Sequence, residues 1–156
     1  MSKSLKRVEA EAQALGLSID IIREDVLTTT AQLAADARGC VVDQIVKSIL
    51  FRAEDSEQHV LFLTAGSNRV DTQKAAHVCG RKLARADAAS IRSYTGFAIG
   101  GVSPLGHLNP VAKFMDQRLL DFPTVWAAAG TPSHVFKIDP NLLLEKTRAI
   151  LADFTE

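Results

Sequence analysis

The chain has 156 residues, 47% of them hydrophobic and 23% charged, a composition typical of one globular domain and unlike that of a disordered chain. Its 18 basic and 18 acidic side chains cancel, which argues against binding nucleic acid through many phosphates but not against gripping its end. No apolar run approaches the roughly 20 residues that span a bilayer.

Two cysteines, Cys40 and Cys79, form neither a disulfide framework nor a C-x-x-C pair, so we interpret both as reduced thiols. The basic N-terminal segment is not followed by the apolar stretch of a secretory signal, and we expect a cytosolic protein. The four histidines show no metal-ligand spacing among themselves or with the cysteines. We therefore predict neither a metal site nor another cofactor.

Hydrophobic spacing predicts the elements of the N-terminal half. In chain order they are a helix over 4–15 ending at Gly16, a short strand over 19–22, and a helix capped by Thr28, Thr29 or Thr30 that runs to Ala37 and stops at Gly39. Two strands that are apolar on both faces follow, over 44–52 and 59–65, joined by a charged hairpin turn.

The C-terminal half begins with two short helices and then changes to short strands and turns. The predicted helices cover 72–78, capped by Asp71 and closed by Gly80, and 87–94, closed by Gly96; the strands cover 97–99, 111–115, 124–128 and 135–138. Pro140 suits the first turn of a closing helix that carries Leu142, Leu143, Ile150 and Leu151, with Asp139 as its cap. We predict one α/β domain over 1–156, with a mixed, barrel-like sheet flanked by helices.

Lys47 stands out because it lies within a strand that is apolar on both faces. Alternation places it on the face of Ile49 and Phe51, where a charge is costly unless its head reaches water, a partner or a ligand. A structural interpretation is that it snorkels at the strand end or pairs with a carboxylate such as Asp43. A functional one is that it holds an anionic phosphate or a developing oxyanion.

The segment 100–106 contains three glycines and a proline, which impose an unusual backbone path. The adjacent Gly100 and Gly101 allow a ligand to approach peptide N–H groups closely, so the loop is a candidate oxyanion site. A plain turn between strands explains the same residues. A second loop of this kind covers 130–133, and His134 follows it, with either a pocket or a surface role.

Two serines are candidate nucleophiles. Neither Ser48 nor Ser103 lies in a G-x-S-x-G motif, and the sequence places no base beside either of them. A small-molecule esterase that uses Ser103 is therefore the weakest of the functional hypotheses.

Four motifs in order make the pattern specific. They are Ile45-Val46-Lys47-Ser48-Ile49-Leu50-Phe51, Thr64-Ala65-Gly66-Ser67-Asn68-Arg69-Val70-Asp71, the run from Thr95 to His107, and Ala129-Gly130-Thr131-Pro132. Together they resemble the YbaK family, which includes the editing (INS) domain of prolyl-tRNA synthetase and its free-standing relatives. The resemblance covers the chain from the second helix onward.

The resemblance implies a metal-independent deacylase that hydrolyses the ester of mischarged tRNA, chiefly tRNA-Pro carrying Ala, Cys or Ser. The essential lysine of the family falls on Lys47, and its G-x-x-x-P loop falls on Gly100 to Pro104. We predict Lys47, Gly100 and Gly101 as catalytic residues. The predicted substrate-binding residues are Ser48, Ser103, Pro104, Gly130 and His134. Ser48 and His134 stand where relatives vary, which makes them candidates for setting the substrate, while the pocket-lining residues between 21 and 30 stay unassigned.

The resemblance also implies partners. The expected partner is the acceptor end of mischarged tRNA, and the zero net charge favours help from prolyl-tRNA synthetase or an elongation factor. The alternative function is a non-catalytic module that binds the tRNA acceptor or the synthetase. The presence of both Lys47 and the glycine loop argues against that alternative.

Overall fold

A computed structural model describes residues 2–24 and 30–156 of the chain. The α-helices in these ranges are α1 (Lys3–Ala14), α2 (Ala31–Arg38), α3 (Thr72–Cys79), α4 (Ala88–Thr95) and α5 (Pro140–Thr147). The strands are β1 (Ile21–Arg23), β2 (Val46–Ala53), β3 (His59–Ala65), β4 (Leu83–Arg85), β5 (Ala112–Met115), β6 (Val125–Ala128), β7 (His134–Ile138) and β8 (Ile150–Leu151). Two 3₁₀ helices cover Val42–Gln44 and Gln117–Asp121.

The strands form two sheets. One is antiparallel, in the order β1-β7-β6, and the other is mixed, in the order β4-β2-β3-β5-β8, with parallel pairing only from β3 to β5 and from β5 to β8. A bridge between Ile45 and Trp126 joins the two sheets beside the start of β2. The predicted α/β fold with a mixed sheet is confirmed, but the sheet does not close into a barrel within the described residues.

β3, at the centre of the five-stranded sheet, is buried along its whole length, so both faces of the sheet are covered there. On one face Phe62 packs with Phe114 and Phe154 and, across the cluster, with α3. On the other face Leu61 and Leu63 join a larger core that includes residues of α1, β6 and β7. This two-sided burial explains why the sequence of β3 shows no alternation of polar and apolar residues.

The predicted caps at the starts of α2, α3 and α5 are confirmed where the structure describes them. The hydroxyl of Thr30 accepts the amide of Leu33 at 3.1 Å and caps α2, whereas Thr28 and Thr29 lie outside the described residues. The carboxylates of Asp71, Asp87 and Asp139 cap α3, α4 and α5. Pro140 occupies the first turn of α5, as its fixed φ favours.

Three predictions of elements were wrong or incomplete. Residues 97–99 form no strand, because Phe97 is anchored in the core and the amide of Gly101 closes a turn onto the carbonyl of Ala98 at 3.0 Å. The closing helix does not extend to Ile150: Arg148 takes a left-handed conformation with φ 57° and ends it, and the chain then pairs with β5 as β8. Strand β4 was not predicted, and its three residues carry little pattern.

Within residues 2–24 and 30–156, no helix combines the length and the apolar character needed to cross a membrane. Both cysteines are free thiols.

His107 is a largely buried titratable group next to the core. Its ring meets that of Phe97 edge-on at 5.6 Å, and its Nε2 has no hydrogen-bond partner in the described ranges. Burial, with a smaller contribution from the nearby Lys113 and Arg7 charges, lowers the pKa of His107 from 6.5 to about 4, against the opposing effect of a backbone hydrogen bond to Ser103. The folded protein thus resists protonation that the unfolded chain accepts.

We expect this histidine to make the fold sensitive to acid. Stability should fall as pH drops from 6.5 towards 4, because only the unfolded chain binds the proton there, with a total loss on the order of 3 kcal/mol. His107→Gln should remove most of that loss, measured by urea unfolding at neutral and acidic pH. His77→Gln, at an exposed site on α3, is the matched control. An unchanged pH dependence in His107→Gln would contradict this assignment.

Candidate active site

Lys47 lies near the start of β2, opposite Thr64 of β3, and is half-buried. Its Nζ donates a hydrogen bond to the backbone carbonyl of Asn68, in the loop between β3 and α3. The ammonium therefore does not extend freely into solvent from the strand end. It is held by the polar loop that covers this end of the sheet.

Four charged or polar neighbours surround this ammonium, and we call them with Lys47 the lysine cluster: Asp43, Asn68, Arg69 and Asp116. Burial lowers the pKa of Lys47 below its ordinary value, and the Arg69 guanidinium lowers it further. The carboxylates of Asp43 and Asp116 act in the opposite direction and favour the charged form. The suggested ion pair between Lys47 and Asp43 is not formed: Asp43 pairs with Arg118 and acts on Lys47 only through its charge, while the hydrogen bond of Lys47 goes to Asn68.

Asp116 is buried, with 6% of its surface exposed, and directly follows β5. Its Oδ2 accepts the amide of Ala65 at 3.1 Å and the side-chain amide of Asn68 at 2.8 Å. Its Oδ1 accepts the amide of Arg118 at 3.0 Å. One carboxylate thus connects the end of β3, the loop that holds Lys47 and the 3₁₀ helix after β5.

Asp43 fixes the same loop from the other side. It accepts the backbone amide of Ser67 at 2.9 Å and the guanidinium of Arg118 at 3.0 Å. Burial by itself raises the pKa of Asp43, but the hydrogen bonds from Ser67 and the charge of Arg118 outweigh it, so that the pKa is lowered. The loop approaches so closely that a Cβ on Gly66 would lie 2.0 Å from the carbonyl oxygen of Val42. Glycine is therefore required at this position.

Sequence reasoning missed Asp116 as a member of this cluster. Asn68 and Arg69 were part of a motif but had no assigned role. The one local signal for Asp116 is its position as an acidic residue directly after a buried strand. Its proximity to Lys47 arises from the pairing of β3 with β5, which no local pattern reveals.

The glycine loop, here taken as residues 98–106, contacts the second glycine loop, residues 129–134. We call the two loops together the glycine cluster. Gly100 has φ 85° at the third position of the turn that begins at Ala98, a conformation that favours glycine. A Cβ on Gly101 would lie 2.8 Å from the backbone of Thr131. The two loops therefore fit together only because position 101 has no side chain.

Some amides of the glycine loop donate a hydrogen bond within the protein and others do not. The N–H of Gly101 donates to Ala98, so it does not point to a ligand. The N–H groups of Gly100, Val102 and Ser103 have no hydrogen-bond acceptor in residues 2–24 and 30–156. Gly100 is exposed, whereas Val102 and Ser103 are buried, so the Gly100 amide is the donor within reach of a substrate oxygen.

Ser103 and Pro104 are buried within this loop. The hydroxyl of Ser103 is fully buried and accepts the amide of Leu105 at 3.1 Å, which closes a local turn. This geometry gives Ser103 a role in shaping the loop and supplies no reason to treat it as a nucleophile.

Gly130 lies on the connection between β6 and β7, and His134 is the first residue of β7. Gly130 has φ 99°, and a Cβ there would lie 3.0 Å from the carbonyl oxygen of Ser4. The Nδ1 of His134 lies 2.6 Å from the hydroxyl of Thr131, which also accepts the amide of Ser133. The half-buried His134 ring is therefore oriented by the glycine cluster.

The contacts place the predicted residues in two groups, one on each side of β2. Ser48 shares a face with Val46 and Leu50 and is directed to the same core as Val102 of the glycine loop. Its hydroxyl is buried without a partner in the described ranges. Lys47 leaves the opposite face, and no hydrogen bond joins it to the glycine cluster within those ranges. The bridge from Ile45 to Trp126 brings β2 next to β6, which leads to Gly130.

No group of three or more His, Cys, Asp or Glu side chains within the described ranges could hold a metal ion. Of the segment in which the pocket-lining residues were left unassigned, residues 25–29 lie outside the described part. Glu24, just before it, is buried and pairs with Arg38 of α2 at 2.5 Å.

Comparison with known proteins relates this chain to tRNA-editing proteins. The sequence profile of the aminoacyl-tRNA editing domain matches residues 25–146. The fold superimposes with a TM-score of 0.92 on the crystal structure of a proposed trans-editing enzyme for prolyl-tRNA synthetase, 41% identical, covering 100% of this chain and 99% of the other.

Two further relatives are known by sequence. The uncharacterised protein YwhH of Bacillus subtilis (strain 168) is 29% identical over 142 residues, which are 91% of this chain and 90% of YwhH. A proline–tRNA ligase of Lactobacillus helveticus (strain DPC 4571) is 33% identical over 95 residues, 60% of this chain but only 16% of the ligase.

The contact between the two glycine loops leads to a prediction about the stability of the fold. Gly101→Ala should destabilise the fold by about 1–3 kcal/mol, because the added methyl group meets the Thr131 backbone and one of the loops must shift. Urea unfolding measures the loss, and amide NMR shifts at Thr131 and Ser133 locate it. Gly39→Ala is a control with open space around its Cβ, so it reports only the cost of its left-handed backbone. A smaller loss in Gly101→Ala than in Gly39→Ala would contradict the close packing.

Proposed function

The chain belongs to the aminoacyl-tRNA editing domain family, and we propose that it is a trans-editing deacylase that hydrolyses the ester of mischarged tRNA. The observation that carries the proposal is the full-length similarity to a proposed trans-editing enzyme, in a chain that has both Lys47 and the glycine loop. The similarity to that enzyme and to a segment of a proline–tRNA ligase supports tRNA-Pro as the tRNA. The proposed amino acids are small ones such as Ala, Cys or Ser.

The reaction needs little chemical assistance because an aminoacyl ester is already activated. Water adds to the ester carbonyl carbon, the bond from that carbon to the ribose oxygen breaks, and free amino acid and tRNA with a free hydroxyl leave. Orientation of water and stabilisation of the oxyanion are sufficient contributions from the protein. We propose that the neighbouring ribose hydroxyl relays the proton from the attacking water.

In this proposal Lys47 is an electrostatic anchor and not a base. The two nearby carboxylates favour its charged form, and a charged ammonium has no lone pair with which to accept a proton. It contacts the phosphate of the terminal adenosine or the substrate carbonyl oxygen. Because it is half-buried, its attraction for an anion is less screened than that of a surface lysine.

The glycine cluster supplies the other half of the proposed site. The exposed amide of Gly100, which has no acceptor in the described residues, donates to the ester or to the attacking water, while Gly101 makes room for the contact between the loops. Ser48 and His134 bind the amino acid portion, with Gly130 allowing the approach. Discrimination against a larger side chain is worth about 1–3 kcal/mol per methylene in such a pocket. Ser103 and Pro104 maintain the shape of the loop.

We further propose that the editing domain extends over residues 1–156 and acts in the cytoplasm without a metal or cofactor. The partner is the acceptor end of tRNA, because a chain of zero net charge has little capacity for broad phosphate neutralisation. Prolyl-tRNA synthetase or an elongation factor is the proposed source of additional affinity.

The test is a deacylation screen combined with variants of Lys47. The purified protein is incubated with tRNA-Pro and tRNA-Ala charged with Ala, Ser, Cys, 2-aminobutyrate or Pro, and ester loss is followed over time. We expect hydrolysis of a small amino acid from tRNA-Pro, and Lys47→Met should slow it at least about 100-fold because the charge that stabilises the oxyanion is lost. Circular dichroism checks that the variant is folded.

Lys113→Met is the matched control, because Lys113 is another partly buried strand lysine whose pKa is lowered by burial but which lies by His107. It should retain activity. Full activity in Lys47→Met would contradict the role of Lys47. An inactive wild-type protein that still binds tRNA or the synthetase would instead favour the non-catalytic binding module.

A further inference from the structure

Asp116 is distinguished from the other helix-capping aspartates by where its second oxygen points. Asp71, Asp87 and Asp139 cap α3, α4 and α5 through the amides of their own helices. Asp116 does the same for the 3₁₀ helix with Oδ1, but its Oδ2 accepts two donors from another part of the chain, Ala65 and Asn68. A local cap does not need this second set of bonds.

The Oδ2 bonds connect Asp116 to Lys47 through one residue. The side-chain amide of Asn68 donates to Asp116, and the backbone carbonyl of the same Asn68 accepts from Nζ of Lys47. Asp116 also lies close enough for its charge to act on the ammonium directly. The other charges that face Lys47 are Asp43, from the 3₁₀ helix before β2, and Arg69, from the loop itself.

All three hydrogen bonds to Asp116 are donated to it, the pattern that an acceptor-only carboxylate requires. At 6% exposure this charge is poorly screened by water. A buried negative charge next to a half-buried ammonium offsets part of the cost of removing each from solvent.

We propose that Asp116 is a positioning residue for Lys47: its carboxylate holds the β3–α3 loop so that the Asn68 carbonyl faces Nζ, and its charge compensates the buried ammonium. The inference rests on the proposed function, because it assigns Asp116 to the lysine of that reaction. Asp116 itself touches no substrate. It acts on the reaction through the orientation and the charge state of Lys47.

The experiment compares Asp116→Asn with Asp87→Asn, a cap of α4 that does not face Lys47. The first readout is the NMR titration of the Lys47 ε-methylene in uniformly labelled protein, assigned with Lys47→Met. Loss of the Asp116 charge removes one of the two influences that raise the Lys47 pKa, so the titration should move to lower pH. Asp87→Asn should leave it unchanged.

The second readout is the pH profile of deacylation. We expect Asp116→Asn to lower kcat by about 10- to 100-fold with a smaller change in KM, and to move the alkaline loss of activity to lower pH. Asp87→Asn should lower stability alone. If Asp116→Asn fails to fold, Asn68→Ala takes its place. This variant keeps the Asp116 charge and the backbone carbonyl of residue 68, but it removes the hydrogen bond from the Asn68 side chain to Asp116. It should lower kcat in the same direction by a smaller factor.

The proposal is overturned if Asp116→Asn is folded and its Lys47 titration coincides with that of the wild type. It is likewise overturned if Asn68→Ala, used in its place, leaves kcat unchanged. The NMR readout needs no turnover, so it separates this proposal from the proposed function. A shifted titration in a protein without deacylase activity would retain the positioning role and reject the reaction.

Discussion

A half-buried ammonium on an apolar strand is the constraint around which this end of the molecule is organised. Removing an ammonium from water costs several kcal/mol even after the protein relaxes, and a lysine within β2 would be destabilising without compensation. The carbonyl of Asn68 and the carboxylates of Asp43 and Asp116 provide that compensation. The loop after β3, both 3₁₀ helices and the end of β5 converge on this point because each contributes one of these groups or its support.

The Lys47 charge and the amide donors of the glycine cluster are held in place by different sets of contacts. Lys47 depends on hydrogen bonds around the start of β2, whereas the amides of the glycine cluster depend on loop packing against α1 and on the fit of Gly101 against Thr131. Such a division suits an activated ester, which requires an anchor for one end and dipoles for the other and no protein nucleophile. In the proposed function, the lysine cluster and the glycine cluster do not contact each other directly but bind the same substrate.

The parts of the structure that could be predicted from the sequence are those that local chemistry determines. The aspartate caps of α3, α4 and α5, and the two-sided strand β3, follow from residues within a few positions of one another. The strand predicted over 97–99 was wrong because Phe97 is anchored in the core and the chain then turns from Ala98 to Gly101 without pairing. Asp116 was missed because its function depends on β3 lying beside β5, a pairing of residues about fifty positions apart in the chain. The motif order indicated the family, but it did not show that Lys47 and the glycine loop leave opposite sides of β2.

The most direct measurement is the binding site of a non-hydrolysable substrate analogue, 3′-alanylamino-adenosine 5′-monophosphate, mapped by NMR. The account predicts that one molecule perturbs the Lys47 ammonium and the amides of Gly100 and Val102 together, with a single binding curve, and that Lys47→Met weakens the perturbation at the glycine loop. Perturbation of one cluster alone, or of two clusters with different binding curves, would contradict the claim that they form one active site.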